Sequence, residues 1–474
     1  MSTINRNIIF ALLLMLGVGF AGCKDDDVAE KPNFSGRTTP EEKPADNPAD
    51  TPSDDTKVAS GLHVDGKYLK DENGKIVNLH GFAQTYSAWF NEQGKYWSGL
   101  DVAGCMKYNK EKIDGIVKAG WHMTWMRLHM DPTWTNTPGT KRSDASGSDE
   151  ADITNFDPKL LQKYLDELYV PMAEYAISKG MKVVMRPPGV CPHIITTSEH
   201  YTETSHLSLK DGKPYPSQDY QEYLKTVWNI VSQHPKLCNN PNVMFELANE
   251  PVYIWDPEAK NYGPRWDNAK GWIEGDNYYK IETEIFQSVV DVIRANGCDN
   301  VLWVPGVAYQ GDYRGYAKFP IKGSNIGYAV HCYPGWFGSD GNNGDGGVGT
   351  GSYTEFRKQF DEKVGCIASK APIIVTELDW ARPEFARQGY LGTWGTGYTG
   401  EAGKGGFGAN FKRIADEYGN VSWLTFVWEH HLAAFDPTHP EDGGADGTGL
   451  YDYQSGVYPL YQWFNDYYNS SIAE

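Results

Sequence analysis

Eight short apolar runs, separated by longer amphipathic stretches, constrain this chain more than any other feature. The runs lie at residues 76–82, 124–130, 182–187, 242–248, 300–307, 326–333, 372–378 and 423–429. Each has the length and the β-branched and aromatic content of a strand buried on both faces. Helical patterns fill the intervals, among them 110–119, 158–179, 217–233, 278–296 and 408–418. In the second of these, Leu160, Leu161, Tyr164, Leu165 and Leu168 form a broad stripe that can pack on a sheet. Gly180, Gly297 and Gly419 stand just past helix ends, where a left-handed residue is wanted. Alternating strands and helices predict a parallel α/β architecture, and eight of them predict a TIM (β/α)8 barrel with long βα-loop insertions over residues 59–474. The interval 308–325 is too short and loop-like for a full helix, so a short or missing helix is expected there. Gly-rich stretches at 335–351 and 392–408 read as barrel-top loops. Neither ends in the Gly-Lys-Ser/Thr of a phosphate loop.

The first 58 residues obey other rules. Arg6, the apolar run IIFALLLMLGVGF and the small residues Ala21 and Gly22 make a secretory signal over residues 1–22. The run is too short to span a bilayer comfortably. Ala21-Gly22-Cys23 resembles a bacterial lipobox, with Phe20 where that pattern usually has Leu. The resemblance implies a lipidated Cys23; an ordinary signal with an incidental cysteine is the alternative. Residues 23–58 are rich in Pro, Asp, Glu, Ser and Thr, so they cannot bury enough surface to fold and should form a flexible tether. Lys24-Asp25-Asp26-Asp27 resembles the surface-export signal of Bacteroidetes lipoproteins and implies the outer membrane and the cell surface; the periplasmic face is the alternative. Six further cysteines (Cys105, Cys191, Cys238, Cys298, Cys332 and Cys366) show no disulfide framework in their spacing, and pairing cannot be deduced from it.

A net charge of −19 argues against nucleic-acid binding and mildly against polyanionic glycans. The chain carries 16 Trp, 30 Tyr and 18 Phe, more than a core needs. The excess in Gly-rich loops fits the stacking of flat sugar faces on rings.

Polar residues gather where the strand candidates end: His80, Arg127, Asn249, Glu250, His331, Tyr333, Glu377 and Trp428. In a TIM barrel that edge carries the active site. Glu250 and Glu377 close the fourth and seventh runs, across the barrel mouth from each other, so both can face one cleft. A retaining glycosidase needs two such carboxyls about 5–5.5 Å apart. Glu246 lies inside its strand and reads as a buried, paired structural group with a minor role. Asp379 and Glu429 are rival carboxylates ranked below Glu377. His430 and His431 would point to opposite faces of an extended strand. No Cys/His cluster has metal-ligand spacing, so no metal is expected. His122 and His129 read as ordinary barrel or loop residues.

Asn249-Glu250-Pro251, His331-Cys332-Tyr333, Glu377 and Trp428 resemble, as a series, the motifs of glycoside hydrolase family 5, the cellulase family. The likeness spans roughly residues 61–468. It implies Glu250 as general acid/base, Glu377 as nucleophile, Asn249 on the sugar 2-hydroxyl and Arg127 holding the nucleophile ionised. It further implies His331 and Tyr333 as orienters of the carboxylates, and Trp428 as the floor of the −1 subsite. One departure is visible. The family shows an Asp-x-His pattern after the third strand, where this chain reads Arg186-Pro187-Pro188-Gly189-Val190-Cys191-Pro192-His193. Arg186 or His193 is expected to occupy that space. Trp336 and Trp380 join Tyr86, Trp89, Trp97, Trp134 and Trp394 as candidate sugar platforms or core residues. The implied activity is retaining cleavage of a neutral β-glycan, foremost an endo-β-1,4-glucanase, with β-mannanase or xyloglucanase as alternatives; exo action and transglycosylation stay open. A non-catalytic glycan-binding surface lipoprotein is the alternative from another class. Two carboxylates and water suffice, so no cofactor is implied. The expected partners are a polysaccharide and, through the lipid anchor only, a membrane; nucleic acid is not among them, and a monomer is expected.

Overall fold

The computed structural model describes residues 61–84, 89, 100–137, 153, 155–204, 209–210, 213–214, 219–333, 336–339, 353–378, 407–426, 429–438 and 453–473. Strands β1 (His80–Ala83), β2 (Trp125–His129), β3 (Lys182–Arg186) and β4 (Val243–Glu246) are followed by β5 (Leu302–Pro305), β6 (Ile326–Cys332), β7 (Ile373–Leu378) and β8 (Val421–Thr425). They pair in parallel in chain order, and β8 closes on β1 to complete an eight-stranded barrel. Each strand overlaps one of the predicted runs. The eighth differs most: β8 starts earlier than expected and ends at Thr425, and Glu429 opens a short helix instead of closing a strand.

Helices occupy the expected intervals between the strands, and two more follow β8. They are α1 (Val102–Ala119), α2 (Pro158–Tyr164, a π turn at Leu165–Tyr169, then Val170–Ser178), α3 (Tyr220–Ser232) and α4 (Asp276–Ala295). After β6 comes α5 (Tyr353–Phe360, continued through Asp361–Gly365 to Cys366–Ala368), then α6 (Phe407–Tyr418), α7 (Glu429–Ala434) and α8 (Tyr453–Ala473). Asp101, Asp157 and Asp219 cap α1, α2 and α3 by accepting backbone N–H groups of the first turn. Gly120 ends α1 in the left-handed conformation. Between β5 and β6 only the short turns Val307–Gln310 and Arg314–Lys318 are formed, as the length of that interval predicts.

The period of two along each strand separates two cores. Leu79, Ala83, Trp125, Val184, Met244, Trp303, Ala329, Ile374 and Leu424 fill the barrel interior. Phe82, Met126, Val183, Phe245, Leu302, Val330, Val375 and Trp423 pack outward among the helices. An antiparallel hairpin, His63–Asp65 with Tyr68–Lys70, contributes Leu69 to the inner cluster. Four short strands after β4 (Tyr253–Asp256, Asn261–Gly263, Arg265–Asp267 and Gly271–Ile273) form antiparallel pairs, and Ile194–Ile195 joins the first of them. Runs this short leave no periodic signal in the sequence. The six cysteines from Cys105 to Cys366 are free thiols.

Candidate active site

Two residues beyond the apolar inner layer, toward the C-terminal ends of the strands, the interior turns polar. Arg127 follows Trp125, Arg186 follows Val184, Glu246 follows Met244, His331 follows Ala329 and Thr376 follows Ile374, each by one strand period. All five are fully buried. Buried charges persist only when paired, and Arg127 and His331 both pair with Glu246.

Glu246 is the hub. Its carboxylate accepts from Arg127 Nε at 2.7 Å and Nη2 at 2.9 Å, from Thr376 Oγ1 at 2.7 Å and from Gln310 Nε2 at 3.2 Å. Burial pushes this carboxyl up, but Arg127 and His331 outweigh it and bring it down to about 2. Arg127 uses two further donors on Glu377 Oε1 at 2.7 Å and Asn249 Oδ1 at 2.6 Å. Arg186 Nε reaches the same Asn249 oxygen at 3.3 Å.

Strict alternation would send Glu377 outward with Val375. It points inward because the β6–β7 register shifts: Val330 lies opposite Val375, but His331 lies opposite Glu377. The extra residue on β7 lets Thr376 and Glu377, consecutive in sequence, both serve the interior. Tyr333 donates its hydroxyl hydrogen bond to Glu377 Oε2. Burial raises the Glu377 carboxyl, yet His331, Arg127 and the Tyr333 hydroxyl together leave it lower than an ordinary glutamate, so it is charged at neutral pH.

Glu250 stands at the lip, with its backbone in the left-handed region at φ 58°. That conformation costs about 1 kcal/mol for a residue with a side chain. The Glu250 N–H donates to Gln310 Oε1 at 2.8 Å. Gln310 itself ends a run of three left-handed residues, Ala308, Tyr309 and Gln310. The Glu250 side chain is 22 % exposed and that of Glu377 9 %
. One reaches solvent while the other is enclosed. His331 Nδ1 lies 3.0 Å from Glu250 Oε1 and 3.5 Å from Glu377 Oε2. Burial lowers the basicity of this imidazole, but Glu377, Glu246 and Glu250 raise it to about 9, so it is a cation at neutral pH. One oxygen of each glutamate and a ring nitrogen of His331 lie within 4.8 Å of one another. This is a donor set that could in principle hold a metal, but a metal ligand must be a neutral imidazole. The carboxylates instead keep this one protonated, and its charge already serves them. With one oxygen of each carboxyl within 4.8 Å of the other's, the pair is close enough for double displacement, which wants about 5–5.5 Å between carboxyls.

The structure therefore brings together Arg127, Asn249, Glu250, His331, Tyr333 and Glu377, with Arg186 beside Asn249. Trp336 packs against Tyr333 at 5.1 Å and Tyr309 at 6.2 Å, and His193 meets Tyr309 edge-on at 6.3 Å. Both belong to the rim. His80 is a correction. It opens β1 instead of closing it, and the strand period turns it outward with Phe82. There it stacks on Tyr467 of α8 at 3.8 Å and meets Trp423 edge-on at 5.4 Å, and burial holds it neutral, down to about 3. Trp134 is fully buried and donates to the Trp89 carbonyl, so it is core. Glu429 is buried and accepts from Tyr108 Oη at 2.9 Å. Trp428, Trp380, Asp379 and Cys23 lie outside the described residues. Sequence reasoning undervalued Glu246 and missed Gln310 and Thr376. A glutamate in the middle of an apolar run was the signal for Glu246, since it demands a buried cation. Gln310, in a loop, gave none.

Several solved structures are similar to this chain at low identity. A β-glucanase of Saccharophagus degradans in complex with cellotetraose is 16 % identical, with 89 % of this chain and 98 % of that one covered and a TM-score of 0.50. The catalytic domain of Thermobifida fusca endoglucanase Cel5A is 16 % identical over 86 % and 98 %, with a TM-score of 0.46. That of a mannanase from Streptomyces sp. SirexAA-E is 13 % identical over 81 % and 85 %, with a TM-score of 0.40. The sequence itself matches the family model described as cellulase (glycosyl hydrolase family 5) over residues 70–384, a span running from before β1 to just past β7 and holding both mouth glutamates. With that match across most of the barrel, the chain belongs to glycoside hydrolase family 5 and is a retaining glycoside hydrolase.

Proposed function

We propose that this enzyme cleaves internal bonds of a neutral β-glucan, foremost a β-1,4-glucan, with Glu377 as nucleophile and Glu250 as acid/base. The observation that carries the residue roles is the asymmetry of the pair. Glu377 is enclosed, bonded by Arg127 and Tyr333 and held charged. Glu250 is more exposed and has His331 as its neighbour. In the first step Glu377 attacks the anomeric carbon while Glu250 gives its proton to the departing glycosidic oxygen. Negative charge thus leaves Glu377 and appears on Glu250. The His331 cation lies within reach of both, so it stabilises the charge before and after the transfer without moving. In the second step Glu250 takes a proton from water, which attacks the glycosyl ester and frees Glu377. Asn249, held by two guanidinium groups, is left with its amide nitrogen to meet a sugar hydroxyl. Trp428 is assigned to the floor of the −1 subsite.

A glucan is favoured by the cellulase description of the matching family and by the likeness to a β-glucanase solved with cellotetraose. The net charge of −19 disfavours an acidic polymer. β-Mannan and xyloglucan are the other candidates. We further assign residues 1–22 as a signal peptide, Cys23 as a lipidated N-terminus and residues 23–58 as a tether that carries the barrel outside the outer membrane. The test is an assay of the full-length chain and its Glu377→Ala variant on soluble β-glucans, mannan, xyloglucan and xylan. Release of reducing ends from a glucan by the parent and not by the variant supports the reading. Release from mannan or xylan alone overturns the substrate, and equal activity of the two proteins overturns the nucleophile. Labelling with radioactive palmitate in the bacterial host, lost in Cys23→Ala, tests the anchor.

A further inference from the structure

Trp266 and Trp272 face each other across the hairpin formed by Arg265–Asp267 and Gly271–Ile273. Their rings stand 5.9 Å apart at 80°. They are 53 % and 58 % exposed, the two exposed tryptophans among the described residues. A cross-strand pair steadies a two-stranded ribbon, but it does not need both indoles to keep most of their surface in water. The hairpin belongs to the β4–α4 connection, the same segment that carries Glu250. A line of partly exposed rings runs between the catalytic centre and this hairpin. Tyr333 touches Trp336 and Trp336 touches Tyr309. The Tyr309 N–H donates to the Pro251 carbonyl at 2.8 Å and the Ala308 N–H to the Val252 carbonyl at 3.1 Å, which lays Tyr309 along the segment that leads to Tyr253. Tyr253 then meets Tyr262 at 5.3 Å, and the Arg265 guanidinium covers the Tyr262 ring at 4.4 Å. Arg265 is also paired with Asp267 at 2.9 Å, so the charges beside the indoles cancel. An aromatic corner with a locally neutral surround suits an uncharged sugar ring better than an ionic partner.

We infer that the Trp266/Trp272 hairpin is a distal glycan-binding platform that holds a neutral β-linked polysaccharide outside the catalytic cleft. Perpendicular rings make a corner: one indole stacks under a pyranose face and the other walls its side. The platform raises the residence time of a long chain and does nothing for a substrate that ends within the cleft. This rests on the glycan-cleaving reading above, and its test separates the two.

The test compares the full-length chain with W266A/W272A and with W266F/W272F, which keeps a ring at each position. Both indoles are mostly exposed, so the fold should survive, and a thermal melt verifies it. Retardation in native gels containing each polymer is read in the Glu377→Ala background, so that the matrix is not digested. Kinetics are read on polymer and on an aryl cellobioside. The double alanine variant should lose retardation and show kcat/KM on polymer about five- to tenfold lower, through KM, as loss of about 1–1.4 kcal/mol of stacking implies. Its kcat/KM on the aryl cellobioside should stay within about twofold of the parent, a free-energy change below 0.5 kcal/mol. The phenylalanine variant should retain part of the retardation. A cleaved polymer that holds parent and double alanine variant equally overturns the platform and leaves the substrate reading intact. Equal losses on polymer and cellobioside also overturn it, by placing the rings in the cleft. A change in oligomeric state on size exclusion with unchanged retardation makes the hairpin a self-association surface instead. A parent chain that neither cuts nor is retarded by any polymer overturns both readings.

Discussion

Gln310 accepts the backbone N–H of Glu250 at 2.8 Å and donates from the other end of the same amide to Glu246 at 3.2 Å and to the Ala329 carbonyl at 3.2 Å. One neutral side chain thus ties the left-handed backbone of the proposed acid/base to the buried carboxylate that anchors Arg127. Gln310 is itself left-handed at φ 60° and fully buried. Strain of this kind persists only where the surroundings over-determine it.

Removing that amide should release Glu250 more than it weakens binding. Gln310→Ala leaves the part-buried Glu250 N–H without its acceptor, at a cost of about 1 kcal/mol, the low end for an unsatisfied donor. The expected outcome is a kcat about 10- to 100-fold lower with KM within about twofold, because a misplaced acid costs the transition state and not the ground state. Steady-state kinetics on a soluble substrate check this. A KM effect with kcat intact would mean that Gln310 shapes the cleft and does not position Glu250.

Arg127 holds three groups with one rigid fork, and a lysine cannot. Its guanidinium spans Glu246, Glu377 and Asn249. Arg127→Lys keeps the charge but satisfies at most part of this set, leaving buried carboxylate oxygens short of donors. We expect a loss of about 3 kcal/mol of stability and a kcat about 10²–10³-fold lower. Urea unfolding and kinetics on the same preparation measure both. A variant as stable and active as the parent would show that Glu246 and Glu377 do not depend on this pairing.

Much of this was legible in the sequence, and the particulars show why. The eight strands were readable because a strand buried on both faces leaves a dense apolar run, as at β7. Glu250 and Glu377 stood out as carboxylates ending such runs. What escaped depends on half a strand period or on a loop. His80 lies inside a run that was otherwise placed well, but one residue out of phase with the interior, and the pleat turned it outward. Glu377 points inward only through a bulge that no composition announces. Gln310 acts through a backbone conformation that belongs to glycine in most proteins, so nothing in its residue type marked it.

His331 predicts the pH dependence of folding. Its imidazole is basic to about 9 in the folded chain against an ordinary 6.5. A group whose basicity rises on folding contributes stability that is full below the unfolded value and is lost as pH climbs through the folded one. Stability should therefore decline between about pH 6.5 and 9 through this group, and His331→Asn should flatten that decline. Glu246 works in the opposite direction: its carboxyl is lowered to about 2, so its contribution is present above its ordinary 4.5 and fades as pH falls toward 2. Unfolding midpoints from pH 3 to 10 for parent and His331→Asn test both limbs. An alkaline decline that is identical in the two proteins would assign it to other groups.

The two glutamates can be told apart by chemistry alone. Glu377 sits where Arg127 and Tyr333 hold it charged, and Glu250 sits at the lip beside His331. Replacing either with alanine should cut hydrolysis steeply, for Glu377→Ala by about 10⁴-fold or more. The space left by each side chain admits a small anion such as azide. In Glu377→Ala, azide occupies the place of the nucleophile and attacks an activated β-glycoside directly, so one displacement gives the α-glycosyl azide. In Glu250→Ala, Glu377 still forms the glycosyl ester, and azide replaces water in the second displacement, giving the β-glycosyl azide. The acid is also dispensable for a good leaving group, so Glu250→Ala should keep much of its first-step rate on a dinitrophenyl glycoside and lose it on an unactivated glucan. Proton NMR of the azide products reads the anomer directly. The opposite pair of anomers would exchange the two roles, and it would do so without disturbing the barrel, the bulge or the buried hub beneath them.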